Sequence, residues 1–388
     1  MFKIMTLNNI SEKGLERFAR DRYLVAGDLP EPDAILLRSY KMHDMAFPAS
    51  LKAVGRAGAG VNNIPVAKLT EKGIPVFNTP GANANAVKEL VLAAMLIAAR
   101  NVCQAWQFAR QVTGDDETIN KVVEAGKKDF VGFELPGKTL GVIGLGAIGV
   151  KVANAAVGLG MRVIGFDPQV TVQSAWQLAS QVEKANSVEE LLTRSDIVSL
   201  HVPETPATRQ LINAARLKIA KNNLVLINFA RAGIVSSDDL LSALASGKVA
   251  RYVCDFPSNA LKDHPQVVTL PHLGASTLEA EENCAVMVAD QIREFLENGN
   301  ITHSVNFPEV NMPRLEGFRI AIANANVPNM VGQISTAMAK ANLNIIDMIN
   351  KSQGGVAYTM ADVDQPIPEA VAKAIASIDG VLSVRIVS

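Results

Sequence analysis

The chain has 388 residues and a nearly balanced charge, 37 Lys and Arg against 38 Asp and Glu, for a net charge of −1. That balance offers no basic surface for nucleic acid or an anionic membrane. Hydrophobic residues make up 48%, which argues against disorder, and three scattered cysteines predict neither a disulfide framework nor a metal site. The N-terminus does not resemble a signal peptide, and no apolar run reaches the roughly 18 residues of a membrane span. We therefore expect a cytoplasmic, soluble α/β protein.

Apolar, strand-like runs alternate with helix-compatible segments over most of the chain, which is typical of parallel sheets built from βαβ units. In the first hundred residues the predicted strands are Ala34–Leu37, Ala53–Val54 and Val76–Phe77. Each ends in a turn or a charged residue, and ligands of doubly wound sheets bind at the carboxyl ends of the strands. Residues 87–100 predict a buried helix because they are apolar nearly all round.

A glycine-rich turn, Gly144–Gly149, follows the predicted strand Leu140–Ile143 and begins a predicted helix. A second strand, Met161–Phe166, ends at Asp167. Glycines allow the backbone to approach a pyrophosphate, and the helix N-terminus offers free N–H groups. Asp167 can accept hydrogen bonds from both ribose hydroxyls and would repel a 2′-phosphate. The pattern predicts NAD rather than NADP.

Two residues at later strand ends are candidates for the chemistry. Arg231 follows the strand Leu224–Ile227, and its planar guanidinium suits a substrate carboxylate. His272 follows the strand Val267–Leu270 and can carry the proton that accompanies hydride transfer. Alternatively, Arg231 is an ordinary surface arginine and His272 a structural histidine.

The C-terminal 71 residues, 318–388, show a complete βαββαβ pattern of their own, typical of a ferredoxin-like unit. The preceding residues 306–317 contain Pro308 and Pro313 and lack periodicity, so we interpret them as a linker. The predicted fold class is α/β, with two doubly wound parallel-sheet domains, one flavodoxin-like and one Rossmann, followed by the ferredoxin-like domain.

Together these segments resemble the D-isomer-specific 2-hydroxyacid dehydrogenases over essentially the whole chain. The motifs that carry the resemblance are Gly55–Gly60 with Val61–Asn63, Asn78–Pro80, Gly144–Gly149, Asn228–Val235 and Pro271–Thr277. The resemblance implies a discontinuous substrate-binding domain, residues 1–98 and 271–305, interrupted by an NAD-binding domain, residues 99–270. It also implies that Arg231 binds and polarises the substrate and that His272 is the acid/base.

The resemblance further implies a set of cofactor-binding residues at the strand ends: Gly144, Gly146, Ala147, Ile148, Gly149, Asp167, His201, Val202, Pro203, Phe229, Ala230, Asp255, Gly274 and Ala275. One departure concerns the Glu that usually precedes the histidine in this family, because Asn259 stands in its place. We expect His272 to work without a carboxylate partner, with an acid limb of hydroxyacid oxidation near pH 6.5, the ordinary range for histidine.

Within the family, the pattern implies oxidation of D-3-phosphoglycerate to 3-phosphohydroxypyruvate, the first step of L-serine biosynthesis. Such a substrate brings two anionic ends, and Arg231 satisfies only one. We assign Arg38 and Arg56 to the phosphate, each of which is otherwise a solvated surface charge. The predicted substrate-binding set is Arg38, Arg56, Gly58 and Asn78.

The C-terminal domain resembles the ACT-type regulatory domain, which binds small amino acids between paired subunits. Asn326 and Asn344 match positions that bind serine in related dehydrogenases, whereas Asn329 replaces a Gly often found there. Alternatively, the domain serves dimerisation alone. We expect a homodimer or homotetramer. The other functions left open are a glyoxylate, hydroxypyruvate or other D-2-hydroxyacid reductase, and a non-catalytic NAD-sensing corepressor or scaffold.

Overall fold

The computed structural model describes residues 1–314 and 317–387. Its strands are β1 (Phe2–Leu7), β2 (Tyr23–Ala26), β3 (Ala34–Leu37), β4 (Ala53–Arg56), β5 (Val76–Phe77), β6 (Thr139–Ile143), β7 (Arg162–Phe166), β8 (Val182–Lys184), β9 (Ile197–Leu200), β10 (Leu224–Asn228), β11 (Val249–Cys254), β12 (Val267–Thr269), β13 (Phe318–Ala325), β14 (Ile345–Gln353), β15 (Val356–Val363) and β16 (Val381–Val387). Parts of the predicted linker and of the predicted C-terminal domain, namely Leu315, Glu316 and Ser388, lie outside the described residues.

The helices in the same part of the chain are α1 (Glu12–Leu15), α2 (Val66–Glu71), α3 (Ala84–Arg100), α4 (Val102–Gln111), α5 (Asp116–Gly126), α6 (Ala147–Gly158), α7 (Val172–Gln177), α8 (Val188–Arg194), α9 (Ala214–Ile219), α10 (Ser237–Ala245), α11 (Leu278–Asn298), α12 (Met330–Lys340) and α13 (Glu369–Ala376). Of these described helices, not one combines the length and the apolar character that crossing a bilayer would require.

Contacts divide the chain into two compact units. The first unit comprises Met1–Ala82 and the chain from Leu278 onward, and the second unit comprises Asn83–Thr277. The division therefore assigns helix α3 to the second unit, whereas the sequence boundaries at 98 and 271 assign most of it to the substrate-binding domain. Compactness does not identify which ligand each part binds, so the domain assignments remain predictions.

The first unit contains a five-stranded parallel sheet in the order β2-β1-β3-β4-β5. Apolar residues cover both faces of this sheet, which is why its central strands read as continuous hydrophobic runs. The order reverses direction at β1 and β3, as a doubly wound, flavodoxin-like sheet requires. The predicted fold class is confirmed for this sheet.

The second unit contains a seven-stranded parallel sheet in the order β12-β11-β10-β9-β6-β7-β8. Hydrophobic clusters lie on both faces, and α3 packs with α6 on one of them. The sheet confirms the Rossmann expectation. The prediction that residues 87–100 are buried all round was wrong in part, because one stripe of α3 faces solvent and Leu96 is 49% exposed.

The C-terminal domain, residues 318–387, is an antiparallel sheet in the order β14-β15-β13-β16 with α12 and α13 on one face. This is the ferredoxin-like arrangement that the βαββαβ pattern predicts. The opposite face packs into the core of the first unit, where Tyr358 and Met360 lie near α11 residues such as Phe295. The domain is therefore docked and not merely tethered.

The segment that we interpreted as a linker is packed against its surroundings between residues 306 and 314. Phe307 and Val310 are fully buried, and Met312 is nearly so. The buried Asn306 amide accepts from the Val76 backbone N–H and donates to Thr70 and to the Ile74 carbonyl oxygen. These residues lack periodicity because they form no regular element, although they contribute to the core.

Candidate active site

The predicted catalytic and cofactor residues of the second unit follow neighbouring strands at one edge of the sheet. The register pairs Ile143 with Phe166 and with Leu200, Leu200 with Asn228, Asn228 with Cys254, and Cys254 with Thr269. The strands that end at this edge are therefore level with one another. We call it the carboxyl edge of the second unit, and the residues that follow these strands form one continuous row.

The glycine-rich turn after β6 has the backbone geometry of a phosphate-binding loop. Gly144 has a φ of +94°, and a Cβ there would lie 2.5 Å from the carbonyl oxygen of His201. A Cβ at Gly149 would lie 1.9 Å from the carbonyl oxygen of Gly144, so α6 can start this close to β6 only with glycine. At Gly146, by contrast, the corresponding position is open space. The free N-terminus of α6 and this open position fit a dinucleotide pyrophosphate.

Asp167 and His201 flank this turn. The Asp167 carboxylate accepts from the backbone N–H groups of Leu145 and Gln169, each at 2.8 Å, which fixes its orientation beside the turn. The Nε2 atom of His201 lies 2.8 Å from the Ser199 hydroxyl. Burial lowers the pKa of His201 to about 4, so its ring is neutral near pH 7 and does not serve as an acid there.

Arg231 lies in the loop after β10, and its guanidinium is exposed, with Nη1 donating to the Ala230 carbonyl oxygen at 2.6 Å. The buried Asn228 holds this loop: its amide donates to the Arg231 carbonyl oxygen and accepts from the Ala230 backbone N–H. The sequence motif includes Asn228, but its positioning role was missed because it depends on contacts that only the folded loop makes. Most guanidinium N–H groups of Arg231 remain available to an anion.

Asp255 and His272 follow β11 and β12. Asp255 is 2% exposed, and neither of its carboxylate oxygens has a hydrogen-bond partner in the described structure. Burial raises the pKa of Asp255, while the charge of His272 acts in the opposite direction. A buried carboxylate without a partner is costly, and the carboxamide of a nicotinamide could supply the missing donor. The site residues therefore fit NAD.

The His272 ring meets Phe256 edge to face, with ring centroids 5.4 Å apart. Within the described ranges, no carboxylate forms a hydrogen bond or ion pair with this ring. Asn259, which occupies the position of the family Glu, lies in an exposed loop. Asp263 pairs with Lys262 at 3.6 Å and is 83% exposed. The geometry is compatible with a histidine that works without a hydrogen-bonded acid.

The remaining cofactor candidates surround the same edge. Ala147 is exposed and Ile148 half-buried in the first turn of α6, and the others lie in the loops after β9, β10 and β12: Val202, Pro203, Phe229, Ala230, Gly274 and Ala275. Gly274 lies beside Asp255, because a Cβ at Gly274 would lie 3.8 Å from the Asp255 Oδ2 atom.

In the first unit, the predicted substrate residues also follow neighbouring parallel strands. The Nε atom of Arg56 donates to the Arg38 carbonyl oxygen at 2.9 Å, and the Asn78 side chain donates to the Ala59 carbonyl oxygen at 2.6 Å. Gly58 has a φ of +154°, and a Cβ there would meet the Arg56 guanidinium at 2.7 Å. The structure thus brings Arg38, Arg56, Gly58 and Asn78 together.

Sequence reasoning missed one acidic neighbour of this group. Nη1 of Arg38 lies 2.7 Å from the Glu281 carboxylate, in the first turn of α11. Both side chains are partly exposed, so the ion pair is weak and an anionic ligand can compete for Arg38. A pairing between residues this distant along the chain leaves no local signal in the sequence.

The two asparagines of the C-terminal domain lie at opposite ends of its sheet. Asn326 follows β13 and its amide donates to the Gly354 carbonyl oxygen in the β14–β15 turn. Asn344 precedes β14, whose first residue pairs with Val363, the partner of Phe318 at the start of β13. The eight-residue length of β13 separates the two ends by about 25 Å. One small ligand cannot contact both asparagines of a single chain.

Comparison with known proteins agrees with this arrangement. Residues 92–274 match the family model of the D-isomer specific 2-hydroxyacid dehydrogenase, NAD binding domain. The D-3-phosphoglycerate dehydrogenase of Methanocaldococcus jannaschii is 36% identical over 308 residues, which are 77% of this chain and 55% of that protein. That of Haemophilus influenzae is 35% identical over 351 residues, which are 87% of this chain and 81% of that protein.

Among solved structures, the holo form of D-mandelate dehydrogenase from Rhodotorula graminis has a TM-score of 0.68 and 27% identity, covering 80% of this chain and 99% of that one. The chain belongs to the D-isomer-specific 2-hydroxyacid dehydrogenases. The predicted resemblance to the family and the predicted cofactor, NAD, are confirmed. Within the family, the two relatives described above share the name D-3-phosphoglycerate dehydrogenase. The matched part of this chain spans about half of the first of them, 55%.

Proposed function

We propose that the chain oxidises D-3-phosphoglycerate to 3-phosphohydroxypyruvate with NAD as the hydride acceptor. The observation that carries this proposal is the row along the carboxyl edge of the second unit, where Arg231, Asp255 and His272 follow adjacent strands β10, β11 and β12. In this row, Arg231 provides a cation for the substrate carboxylate, Asp255 a carboxylate without a hydrogen-bond partner, and His272 a proton acceptor. The row lies beside the dinucleotide-binding turn.

In the proposed reaction, NAD held at the carboxyl edge of the second unit would supply the acceptor for the hydride of the carbon that carries the hydroxyl group. Arg231 binds the substrate carboxylate through its planar guanidinium and polarises the neighbouring oxygen. His272 accepts the hydroxyl proton as the ketone forms, so the hydride and the proton leave to different acceptors. Asp255 would hold the carboxamide of the nicotinamide.

We assign the phosphate of the substrate to Arg38 and Arg56, with Gly58 and Asn78 shaping the surrounding backbone. The hydrogen bond from Arg56 Nε to the Arg38 carbonyl oxygen supports this assignment because it holds the Arg56 guanidinium beside the backbone of Arg38. Glu281 would release Arg38 when a doubly charged phosphate arrives, since the phosphate offers a stronger partner than one exposed carboxylate.

The test is the double variant Arg38→Gln/Arg56→Gln, assayed by NADH formation with 3-phosphoglycerate and with D-glycerate while the ketone product is trapped. Loss of two charge-assisted contacts should lower kcat/KM for 3-phosphoglycerate by at least about 100-fold. The value for unphosphorylated D-glycerate should change by no more than about threefold, within the range of a small surface effect. The control is Arg20→Gln, an exposed arginine of the same unit.

Equal losses on the two substrates would reject the phosphate assignment. Turnover of glyoxylate or hydroxypyruvate without oxidation of 3-phosphoglycerate would favour the reductase alternative. Binding of NAD without turnover of any hydroxyacid would favour the sensing or scaffold alternative.

Five finer parts of the proposal concern the C-terminal domain, the assembly, the location, the domain limits and the histidine. We assign the C-terminal domain to the ACT type, with Asn326 and Asn344 binding serine only across two paired chains, because the sheet separates them in one chain. We also propose a homodimer or homotetramer, a cytoplasmic location, and the domain limits 1–98 with 271–305, 99–270, 306–317 and 318–388. Finally, His272 is proposed to act without a bonded acid, so an acid limb above about pH 8 would contradict it.

A further inference from the structure

A cavity of about 630 Å³ lies inside the first unit, where the C-terminal domain docks onto the parallel sheet. Small-molecule sites commonly have volumes of roughly 300–1,000 Å³. Its polar and charged lining comes from both sides: Ser50, Lys52, Glu71 and Lys72 from the sheet and α2, and Ser383 and Arg385 from β16. None of these residues belongs to the candidate active site.

Arg385 is the half-buried cation of this cavity. Its guanidinium lies over the Phe295 ring, 4.2 Å from the ring centroid, and donates to the carbonyl oxygens of Phe295 and Leu296 at 2.6 and 3.0 Å. In the chain as described, no carboxylate pairs with it. Burial lowers the pKa of Arg385, while the Tyr358 hydroxyl and the charge of Asp33 act in the opposite direction. At least two N–H groups of the guanidinium remain unused.

The other charged side chains of the lining leave an excess of positive charge. Lys52 is paired with Asp33 at 2.7 Å, so its charge is already compensated. The side chain of Lys72 has no hydrogen-bond or ion-pair partner among residues 1–314 and 317–387, and it is exposed. Glu71 is the one acidic residue of the lining itself. The sum is one net positive charge, which favours an anionic occupant.

We propose that this cavity binds a small oxyanion, with Arg385 as the inner contact and Lys72 at the mouth. A planar guanidinium matches the oxygens of phosphate or carboxylate, so the shared chemistry is that of a phosphate monoester or a dicarboxylate. Because the lining joins α2 to β16, an occupant contacts both the parallel sheet and the docked C-terminal domain. Occupancy therefore stabilises docking of that domain.

The experiment uses the full chain and measures binding of inorganic phosphate and of malonate by calorimetry, together with the midpoint of thermal unfolding. Phosphate also binds at the substrate arginines, so the comparison is made among variants that leave those unchanged. Lys72→Met removes a charge at the cavity mouth. Lys68→Met removes the same charge from α2 at an exposed position outside the lining, and is the matched control. Glu71→Gln changes the charge in the opposite direction.

Removal of one partly solvated charge should change the apparent affinity by about fivefold. We expect Lys72→Met to weaken binding, Glu71→Gln to strengthen it, and Lys68→Met to leave it unchanged. A fourth variant, Arg385→Lys, retains the charge but loses the guanidinium fork, and should weaken binding in a protein that still folds. Binding of malonate but not phosphate would identify a dicarboxylate, and the reverse a phosphate ester.

The proposal is overturned if neither anion binds outside the substrate arginines, or if Lys68→Met and Lys72→Met behave alike. It is also overturned if Glu71→Gln leaves the affinity unchanged, because a neighbouring carboxylate must then be remote from the bound anion. Since all variants retain Arg38, Arg56 and the candidate active site, failure here does not affect the proposed dehydrogenase activity.

Discussion

The buried ion pair Arg319–Asp362 should decide how firmly the C-terminal domain is docked. The two side chains are 1% and 3% exposed, and Nε and Nη2 of Arg319 each lie 2.7 Å from one carboxylate oxygen of Asp362. The same guanidinium donates to the carbonyl oxygens of Asn298, Met312 and Pro313. One side chain thus ties β13 and β15 to the end of α11 and to the packed segment before β13.

The magnitude follows from what each substitution leaves behind. Arg319→Met leaves Asp362 as a buried carboxylate without a cation, and removing one partner of a buried pair costs about 3–5 kcal/mol. Asp362→Leu leaves the guanidinium charge uncompensated and should cost a similar amount. The double variant Arg319→Met/Asp362→Leu buries no charge, so its cost should fall to about 2 kcal/mol, mostly from carbonyl groups that lose a donor.

The assay is hydrogen exchange of peptides covering β13 and β15, which reports the local free energy of opening even if the units unfold separately. Lys373→Met is the control, because Lys373 and Glu369 form an exposed pair at 3.7 Å with side chains 81% and 87% exposed. Its substitution should change the local free energy by less than about 0.5 kcal/mol. A double variant that loses as much as the two single variants together would refute the reasoning.

Two further predictions concern the second unit. Gly146→Ala should raise the KM for NAD by about tenfold with little change in stability. The reason is that a Cβ at this position meets no protein atom but extends toward the expected pyrophosphate. The control is Gly158→Ala, whose Cβ is also unobstructed, and it should change neither the KM for NAD nor the stability. Equal KM values in a steady-state assay would contradict this. Burial lowers the pKa of His201 to about 4 in the folded chain, against about 6.5 in the unfolded chain. The contribution of His201 to the free energy of unfolding is therefore complete above about pH 6.5 and is lost as the pH falls from about 6.5 to about 4. Between pH 7 and pH 4 the free energy of unfolding should therefore fall by about 3 kcal/mol more in the native chain than in His201→Asn. The measurement is a denaturant titration at each pH. Parallel pH profiles of the two proteins would contradict the low pKa of His201.

The parallel sheets could be predicted from the sequence because their buried strands are continuous apolar runs and each run ends at a turn. Ala34–Leu37 and Val76–Phe77 have the same limits in the structure as in the sequence analysis. The exposed stripe of α3 escaped prediction because Leu96 is apolar yet faces solvent. The packing of Phe307 also escaped, since burial there depends on contacts with distant parts of the chain.

Within the candidate active site, the sequence could predict residues that are required by the local backbone conformation. It could not predict side-chain contacts between residues far apart in the chain. The glycines of the turn after β6 are required by contacts within a few residues or with the next strand, so the motif identifies them. The pairing of Arg38 with Glu281 and the position of Arg385 over Phe295 join residues far apart in the chain. Local sequence patterns contain no information about such pairs.

A carboxylate at the position of Asp255 could have either of two functions, which are orienting His272 and binding the cofactor. A carboxylate that oriented His272 would accept a hydrogen bond from its ring, but both Asp255 oxygens lack such a partner. Burial raises the pKa of Asp255, and the charge of His272 and the backbone N–H groups of Gly274 and Leu273 offset only part of that desolvation. Strand β11 lies between β10 and β12, the strands that precede Arg231 and His272. Asn259 and the raised pKa of Asp255 are therefore both compatible with our proposal that the Asp255 carboxylate binds the cofactor and that His272 acts without a hydrogen-bonded acid.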